Sequence, residues 1–285
     1  MSLTVWLALG AMILWGVGDF LIARSVRRVG NLETLFWITL ASSILLLPFI
    51  YQSLFLLTPD LFWILLSLGI FGFLGTYIYF KAFAVGKVSV VEVTLSLELP
   101  LTVLLGLIVF HDHITWRQWI LVATSFLGIV LLSADFQNIN RRHFFEKGAL
   151  LALLSAVVIS GINFLTAAGA KAINPILVIW FPWLVSCLLT LGYLLLKGQF
   201  RGLIKKSRPH FGLLIPMILI DIIAWVFYAF ALRSGELSIT TAITEGFVAI
   251  AAILGLVINR EKIHGWQYLG MVLAITGSIL IALIS

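Results

Sequence analysis

The sequence predicts an all-α integral membrane protein whose ten transmembrane helices form two inverted five-helix repeats. Three observations predict it. Of 285 residues, 62% are hydrophobic and only 11% charged, with a mean hydropathy of +1.15, far from the ~45–50% apolar and ~25% charged of a soluble domain. The apolar residues fall into ten continuous stretches, most of them able to supply the ~20 helical residues that cross a ~30 Å hydrocarbon layer. Finally, the chain repeats itself. Tyr79, Ala82, Gly86, Ser89, Leu105-Gly106-Leu107, Ile114, Gln118 and Gly128 return as Tyr228, Ala231, Gly235, Ser238, Leu254-Gly255-Leu256, Ile263, Gln267 and Gly277, at a constant offset of 149. Continuous apolarity argues for helices, because barrel strands alternate.

In chain order, the first stretch, 3–22, has no Lys or Arg before Leu3, so it lacks a charged secretory leader and is expected to be a retained helix. The second and third cover 32–57 and 60–80, the latter ending beside Lys81, which is placed to snorkel to headgroups. The fourth, 88–110, contains Glu92, Glu98 and Pro100; the fifth covers 117–134. The sixth, 148–170, carries Asn163, and the seventh, 174–196, the sole cysteine, Cys187, read as a small packing residue. The eighth, 210–232, holds Asp221, Trp225 and Tyr228; the ninth, 237–258, Glu245. The tenth is 265–284. The repeats are placed at 1–138 and 147–285. Their earlier parts match at an offset of 144, with Phe20-Leu21 against Phe164-Leu165 and Asp19 against Asn163. A five-residue insertion, placed in the loop around 197–210, accounts for the change.

Five is odd, so the second copy enters the membrane from the opposite side, and carriers built this way hold their site at the repeat interface. Charge supports the inversion. Arg117, Lys171 and Arg233 share the side of the termini and even-numbered loops, while the other fifteen of 18 basic residues lie opposite. The positive-inside rule puts the fifteen in the cytoplasm and both termini outside. The same bias suits anionic lipid headgroups and gives no reason to invoke nucleic acid.

Ten spans, two five-span repeats, Gly-x-x-Ser, Leu-Gly-Leu, an acidic turn and a Gln before a Gly-bearing last helix together resemble the EamA-like transporters of the drug/metabolite transporter superfamily. Trp15-Gly16-Val17-Gly18-Asp19-Phe20 also looks like the first helix of some members. Two departures stand out. The family often has Gly-Glu at the turn after its fourth helix, where this chain has His111-Asp112-His113 and, in the second copy, Asn259-Arg260-Glu261. Members are also usually drawn with cytoplasmic termini. The resemblance implies a secondary transporter of the cell membrane, commonly an exporter of amino acids, other metabolites or drugs, and no enzyme. It leaves substrate, direction, coupling ion and oligomeric state open.

An ionisable side chain inside a span costs about 2.5–3.5 kcal/mol on insertion scales, so it faces a wet cavity or a partner. Glu98 is read with Thr94 and Thr102, four residues to either side, on one polar face; Pro100 is expected to bend that helix and free the carbonyl of Ser96. Ser238, Thr241 and Glu245 repeat the pattern in the ninth span. Glu98 and Glu245 are the first candidates for binding a substrate amine or carrying a coupled proton; the bland alternative is a structural hydrogen bond between helices. Asp221, Trp225 and Tyr228 form a stripe that suits a cation or aromatic ring, or else a packed or lipid-facing aromatic row. Trp15 and Asp19 make a similar pair, with Asn163 at the matched position of Asp19; an interfacial acid is the alternative there. Glu92 reads as a surface ion pair with Lys87. Thr102/Gly106 and Ala251/Gly255 suggest close packing of the fourth and ninth spans.

No cofactor is expected. His111-Asp112-His113 lacks a fixed third ligand for a metal, and motifs of hydrolases or nucleotide-driven pumps are missing. The partners implied are a small-molecule substrate, the lipid bilayer and protons. Two other readings remain: an uptake permease for sugars or amino acids, and a membrane enzyme or lipid-handling scaffold, which would place its polar cluster at one interface.

Overall fold

Each run of apolar residues must satisfy its own backbone in hydrocarbon, and the chain does so with helices throughout. The structure, a computed structural model, describes residues 2–55, 57–85, 94–95, 97–133, 147–258, 260 and 264–285, with backbone only at 80, 83–85, 149 and 201. Among these residues all regular structure is helical. The helices are α1 (Leu3–Val29), α2 (Asn31–Leu45), α3 (Leu47–Leu54), α4 (Pro59–Val85), α5 (Glu98–Leu105, extended by a π-turn over Gly106–Phe110), α6 (Trp116–Ser133), α7 (Lys147–Ala172), α8 (Pro175–Leu196), α9 (Phe200–Ser207), α10 (Phe211–Ser234), α11 (Leu237–Thr244), α12 (Phe247–Ile258) and α13 (Gly265–Ile284). The sequence readings at Glu92 with Lys87, at Ser96, and at Asn259 and Glu261 fall outside the described residues.

Among the described residues eight segments are long and apolar enough to cross a membrane, nine if α2 and α3 count as one bent span. The predicted stretch 32–57 is therefore not one straight helix: α2 and α3 meet at 64°. Pro48 explains the bend, since it cannot donate to the carbonyl of Ile44. Of the predicted fourth stretch the described helix is the short segment Glu98–Phe110. The loop expected around 197–210 contains α9, which forms because Phe200 and Leu203 lie on one face; Leu203 is buried among Phe36, Cys187 and Leu194. Between α1 and α2 the chain reverses at Gly30, whose φ of 109° is a conformation other residues rarely adopt.

Packing follows the repeat. The main contacts are α1 with α10 and, at matched positions, α7 with α4. Likewise α1 lies on α12 as α7 lies on α5, and α4 on α8 as α10 on α2. The remaining principal pairs, α2 with α8, α5 with α11, and α6 with α13, join matched spans of the two copies. Among the described residues every core cluster draws on both copies.

Several doubled residues are the joints of this frame. Gln118 Oε1 accepts from the backbone N–H of Thr115 (2.8 Å), and its Nε2 donates to Ser285 Oγ at the end of α13 (3.3 Å). Gln267 Oε1 accepts from the N–H of His264 (2.8 Å), and its Nε2 donates to the carbonyl of Leu132 at the end of α6 (2.9 Å). Each glutamine caps its own helix and ties it to the far end of the mate, so α6 and α13 run antiparallel. Between these ties, Gly128 faces the backbone of Gly270 and Ala274, while Gly277 faces Ser125. A side chain at Gly128 would meet backbone that cannot give way, and one at Gly277 the Ser125 hydroxyl with backbone close behind it.

A third joint links the acidic turn to the ninth span. The backbone N–H of Ser238 donates to Asp112 Oδ2 (2.8 Å), the Ser238 hydroxyl donates to the carbonyl of Val103 (3.2 Å), and Glu236 Oε1 accepts from the N–H of His113 (3.1 Å). Asp112 thus caps α11 from the other copy. Gly106 leaves the room, since a Cβ there would overlap Ser238 Oγ and the Asp112 carboxylate; this is how the fourth and ninth spans pack closely. His111 and Arg260, matched positions at offset 149 and sites of the missing family glycine, both have φ 55°.

These joints sort the loops. Gln118 and Ser285, Gly235 beside Thr4, and Asn174 Nδ2 donating to Ser53 Oγ (2.9 Å) gather both chain ends and the even-numbered loops on one face. On the opposite face Lys206 Nζ pairs with Glu33 Oε1 (2.8 Å). Arg117, Lys171 and Arg233 belong to the first face.

Candidate functional site

The ninth span is interrupted in its middle. α11 stops at Thr244, α12 starts at Phe247, and across Glu245-Gly246 the ladder slips from four-residue to three-residue spacing, with Gly246 donating to Ile243 (3.4 Å), Val248 to Glu245 (3.4 Å) and Ala249 to Gly246 (3.2 Å). Gly246 fits there because Met12 Sδ and Ser278 Oγ press on it from α1 and α13. The fourth span restarts at the matched place: Leu97 is a turn and α5 begins at Glu98, whose counterpart at offset 149 is Phe247. Tightening of this kind within an apolar helix is frequent at functional sites, and here it sets the directions of Glu245 and Phe247.

Ionisable side chains gather at the two breaks. Asp19 of α1 is within electrostatic reach of Glu98, Asp221 and Glu245, and Glu98 is within reach of Glu245. Asp19, Glu98 and Glu245 are partly accessible, whereas Asp221 is buried. Asn163 Nδ2 of α7 donates to Glu98 Oε1 (2.9 Å). No lysine or arginine is ion-paired with any of the four acids among the described residues.

Aromatic rings form the adjoining wall. Trp15 lies 5.0 Å from both Trp225 and Tyr228, and 6.1 Å from Phe247. Tyr228 is fully buried, its hydroxyl 3.1 Å from Thr241 Oγ1. The stripe Asp221, Trp225, Tyr228 therefore faces the interior and not lipid. The partly accessible Asp19, Glu98 and Glu245, on or next to helices that also carry Trp15 and Phe247, offer a cation both charge and cation–π attraction.

The sequence-derived candidates do not all come together. Trp15, Asp19, Glu98, Asn163, Asp221, Trp225, Tyr228, Thr241 and Glu245 converge as described. Thr94 is buried and helical, and Leu97 is a turn whose N–H donates to the carbonyl of Thr94 (3.3 Å), so α5, which carries Glu98 and Thr102, starts one residue later. Thr102 is fully buried, and its hydroxyl has no hydrogen-bond partner among the described residues. Pro100 sits in the first turn of α5, where the absent N–H is harmless, so it accompanies the break without kinking the middle of a helix. The face Ser238, Thr241, Glu245 is continuous, but Ser238 is spent on the joint with Asp112. Asp112 is likewise engaged there, and among the described residues no group of His, Cys, Asp and Glu could hold a metal ion.

Two wall residues carried no such expectation. Phe247 is legible in the sequence as the apolar counterpart of Glu98, which implies an asymmetric pocket but not a wall position. Trp183 of α8 packs edge-on against Trp225 at 6.1 Å; its only signal is the neighbouring Pro182, a proline inside a span.

Comparison with known proteins agrees with this architecture. A solved crystal structure of a protein 14% identical in sequence superposes with a TM-score of 0.73, covering 99% of this chain and 96% of its own, which shows a common fold. A search of curated protein sequences finds no match. The family model for EamA-like transporters matches twice, over residues 2–134 and 146–283. Taken with the multi-pass helical frame and its reciprocal joints, this match shows that the chain belongs to the EamA-like transporter family of the drug/metabolite transporter superfamily.

Proposed function

We propose that this protein is a secondary transporter of the cell membrane that exports small amine-bearing metabolites, amino acids among them, by alternating access of two inverted halves. One observation carries the reading: Asp19, Glu98, Asp221 and Glu245 converge beside Trp15, Trp225, Tyr228 and Phe247 where the fourth and ninth spans are broken. A protonated amine is attracted to the carboxyl groups while its apolar remainder packs on the rings. The antiparallel course of α6 and α13 supports inversion, and the fifteen-to-three distribution of basic residues supports termini outside the cytoplasm. The repeat limits are read as 1–138 and 147–285. Acids grouped in hydrocarbon are natural carriers of a coupled proton, so substrate and proton compete for one site.

The test is counterflow in proteoliposomes loaded with a panel of amines, amino acids and uncharged metabolites, followed by flux under an imposed pH gradient. Vectorial, saturable movement of amine-bearing solutes is expected, with a preferred direction set by the gradient. Equal movement of uncharged solutes, or chemical alteration of the solute without flux, overturns the proposal.

A further inference from the structure

On the face with most of the basic residues, three helices meet around α9. Its inner side is anchored: Leu203 is buried among Phe36, Cys187 and Leu194, and the Ser207 hydroxyl accepts from Trp37 Nε1 (2.8 Å). Trp37 also packs edge-on against Phe211 at 5.2 Å, so the end of α9 sits on the seam between α2 and α10. Lys206 is held by Glu33. Lys205 and Arg208 are exposed and make no ion pair among the described residues. Together with Ile204 and Pro209 they line an open depression of about 650 Å³.

A second hollow, of about 280 Å³, lies deeper on the same seam. Its walls are Ala41, Ile44 and Leu45 of α2 and Ile215, Ile218 and Leu219 of α10. All are aliphatic, and Ile44, Leu45, Ile215 and Leu219 are exposed. Since Ile215 and Leu219 follow Arg208 by 7 and 11 residues of helix, the groove lies roughly 10–17 Å below the cations. That is about the depth of one leaflet's hydrocarbon beneath its phosphates.

A cationic head site free of internal anions, above an aliphatic groove at leaflet depth, has the charge and shape of one lipid molecule. We propose that this seam binds an anionic phospholipid, with its phosphate on Lys205 and Arg208 and one acyl chain along the groove between α2 and α10. Lipid is the committed occupant, because the groove offers a soluble anion nothing, while the cations offer a neutral lipid little. Two unpaired cations near an anionic surface each favour binding by about fivefold. The site is separate from the acids and aromatics above and does not depend on their role.

The experiment uses the full chain purified in detergent and exchanged into nanodiscs of phosphatidylcholine doped with phosphatidylglycerol. Native mass spectrometry counts retained lipids, and circular dichroism checks folding. Preferential retention of one phosphatidylglycerol is expected. It should fall roughly ten- to thirtyfold in K205Q/R208Q, return in K205R/R208K, fall also in I215W, which fills the groove, and stay unchanged in R117Q on the opposite face. Equal retention of both lipids by the unmodified protein, or unchanged retention in K205Q/R208Q, overturns the proposal. So does displacement of the retained lipid by millimolar inorganic phosphate, which marks an anion site with no use for an acyl chain.

Discussion

Positions 98 and 247 occupy the same place in the two copies and carry opposite chemistry. Both begin a half-helix after a mid-membrane break. In the first copy the residue is Glu98, which accepts a hydrogen bond from Asn163 of the neighbouring α7. In the second it is Phe247, which lies against Trp15 of the neighbouring α1, one turn from Asp19, the counterpart of Asn163. One wall is an acid with an amide, the other an aromatic pair with an acid. By contrast Gln118 and Gln267, or Gly128 and Gly277, keep both identity and role. Matched positions that agree build the frame; matched positions that disagree make the chemistry.

The largest effect is expected where disagreement is greatest. Glu98→Gln keeps an acceptor for Asn163 but removes the charge, and Glu98→Ala removes both. Loss of a charge-assisted contact, worth about 1.5–3 kcal/mol, should lower flux roughly 10- to 100-fold in each, as measured by kcat/KM in proteoliposomes. If Glu98→Gln transports normally and Glu98→Ala does not, Glu98 is a structural partner of Asn163 and the polar wall has been misread. On the frame, Gly128→Leu and Gly277→Leu should each cost about 1–3 kcal/mol or more through overpacking, seen as a lower Tm. The two should be alike; a large gap between them would show that the joints are not equivalent.

The aromatic wall should respond less. Trp15→Ala removes three ring contacts at 5.0–6.1 Å and any cation–π attraction, each worth about 0.5–1.5 kcal/mol. A roughly 3- to 10-fold rise in the Kd of an amine substrate is expected by calorimetry, with little change for its polar end. If Trp15→Ala equals Glu98→Gln in size, the two walls do not divide the substrate as proposed.

Most of the frame was legible in the sequence because repetition announces it: a residue needed twice is written twice. The acids were legible for a different reason, since a carboxyl group in an apolar run stands out against its cost. The breaks were not. Leu97 and Gly246 are ordinary residues in a membrane helix, and Gly246 marks a break only because Met12 and Ser278 close on it from other helices. The bend at Pro48 and the anchored face of α9 had local causes, yet apolar length concealed the first and basic charge the second. Trp183 reaches the site through tertiary packing alone.

The smallest effect tests the frame at its two left-handed turns. His111 and Arg260 hold φ 55°, a left-handed conformation in which a side chain crowds the backbone, at a cost of about 1–2 kcal/mol relative to glycine. In the first copy the conformation is needed: it closes the helix end, where the N–H of Asp112 donates to the carbonyl of Gly106 (3.2 Å) and the carboxylate turns to cap α11. His111→Gly should therefore stabilise the protein by about 1 kcal/mol, since relief of crowding exceeds the entropy that glycine adds to the unfolded chain. Arg260→Gly should match it, because the same angle recurs at the matched position. Both should raise Tm and leave substrate Kd unchanged. A stabilisation confined to one copy would mean that the two turns differ in function as positions 98 and 247 do, and that the frame, too, has become asymmetric.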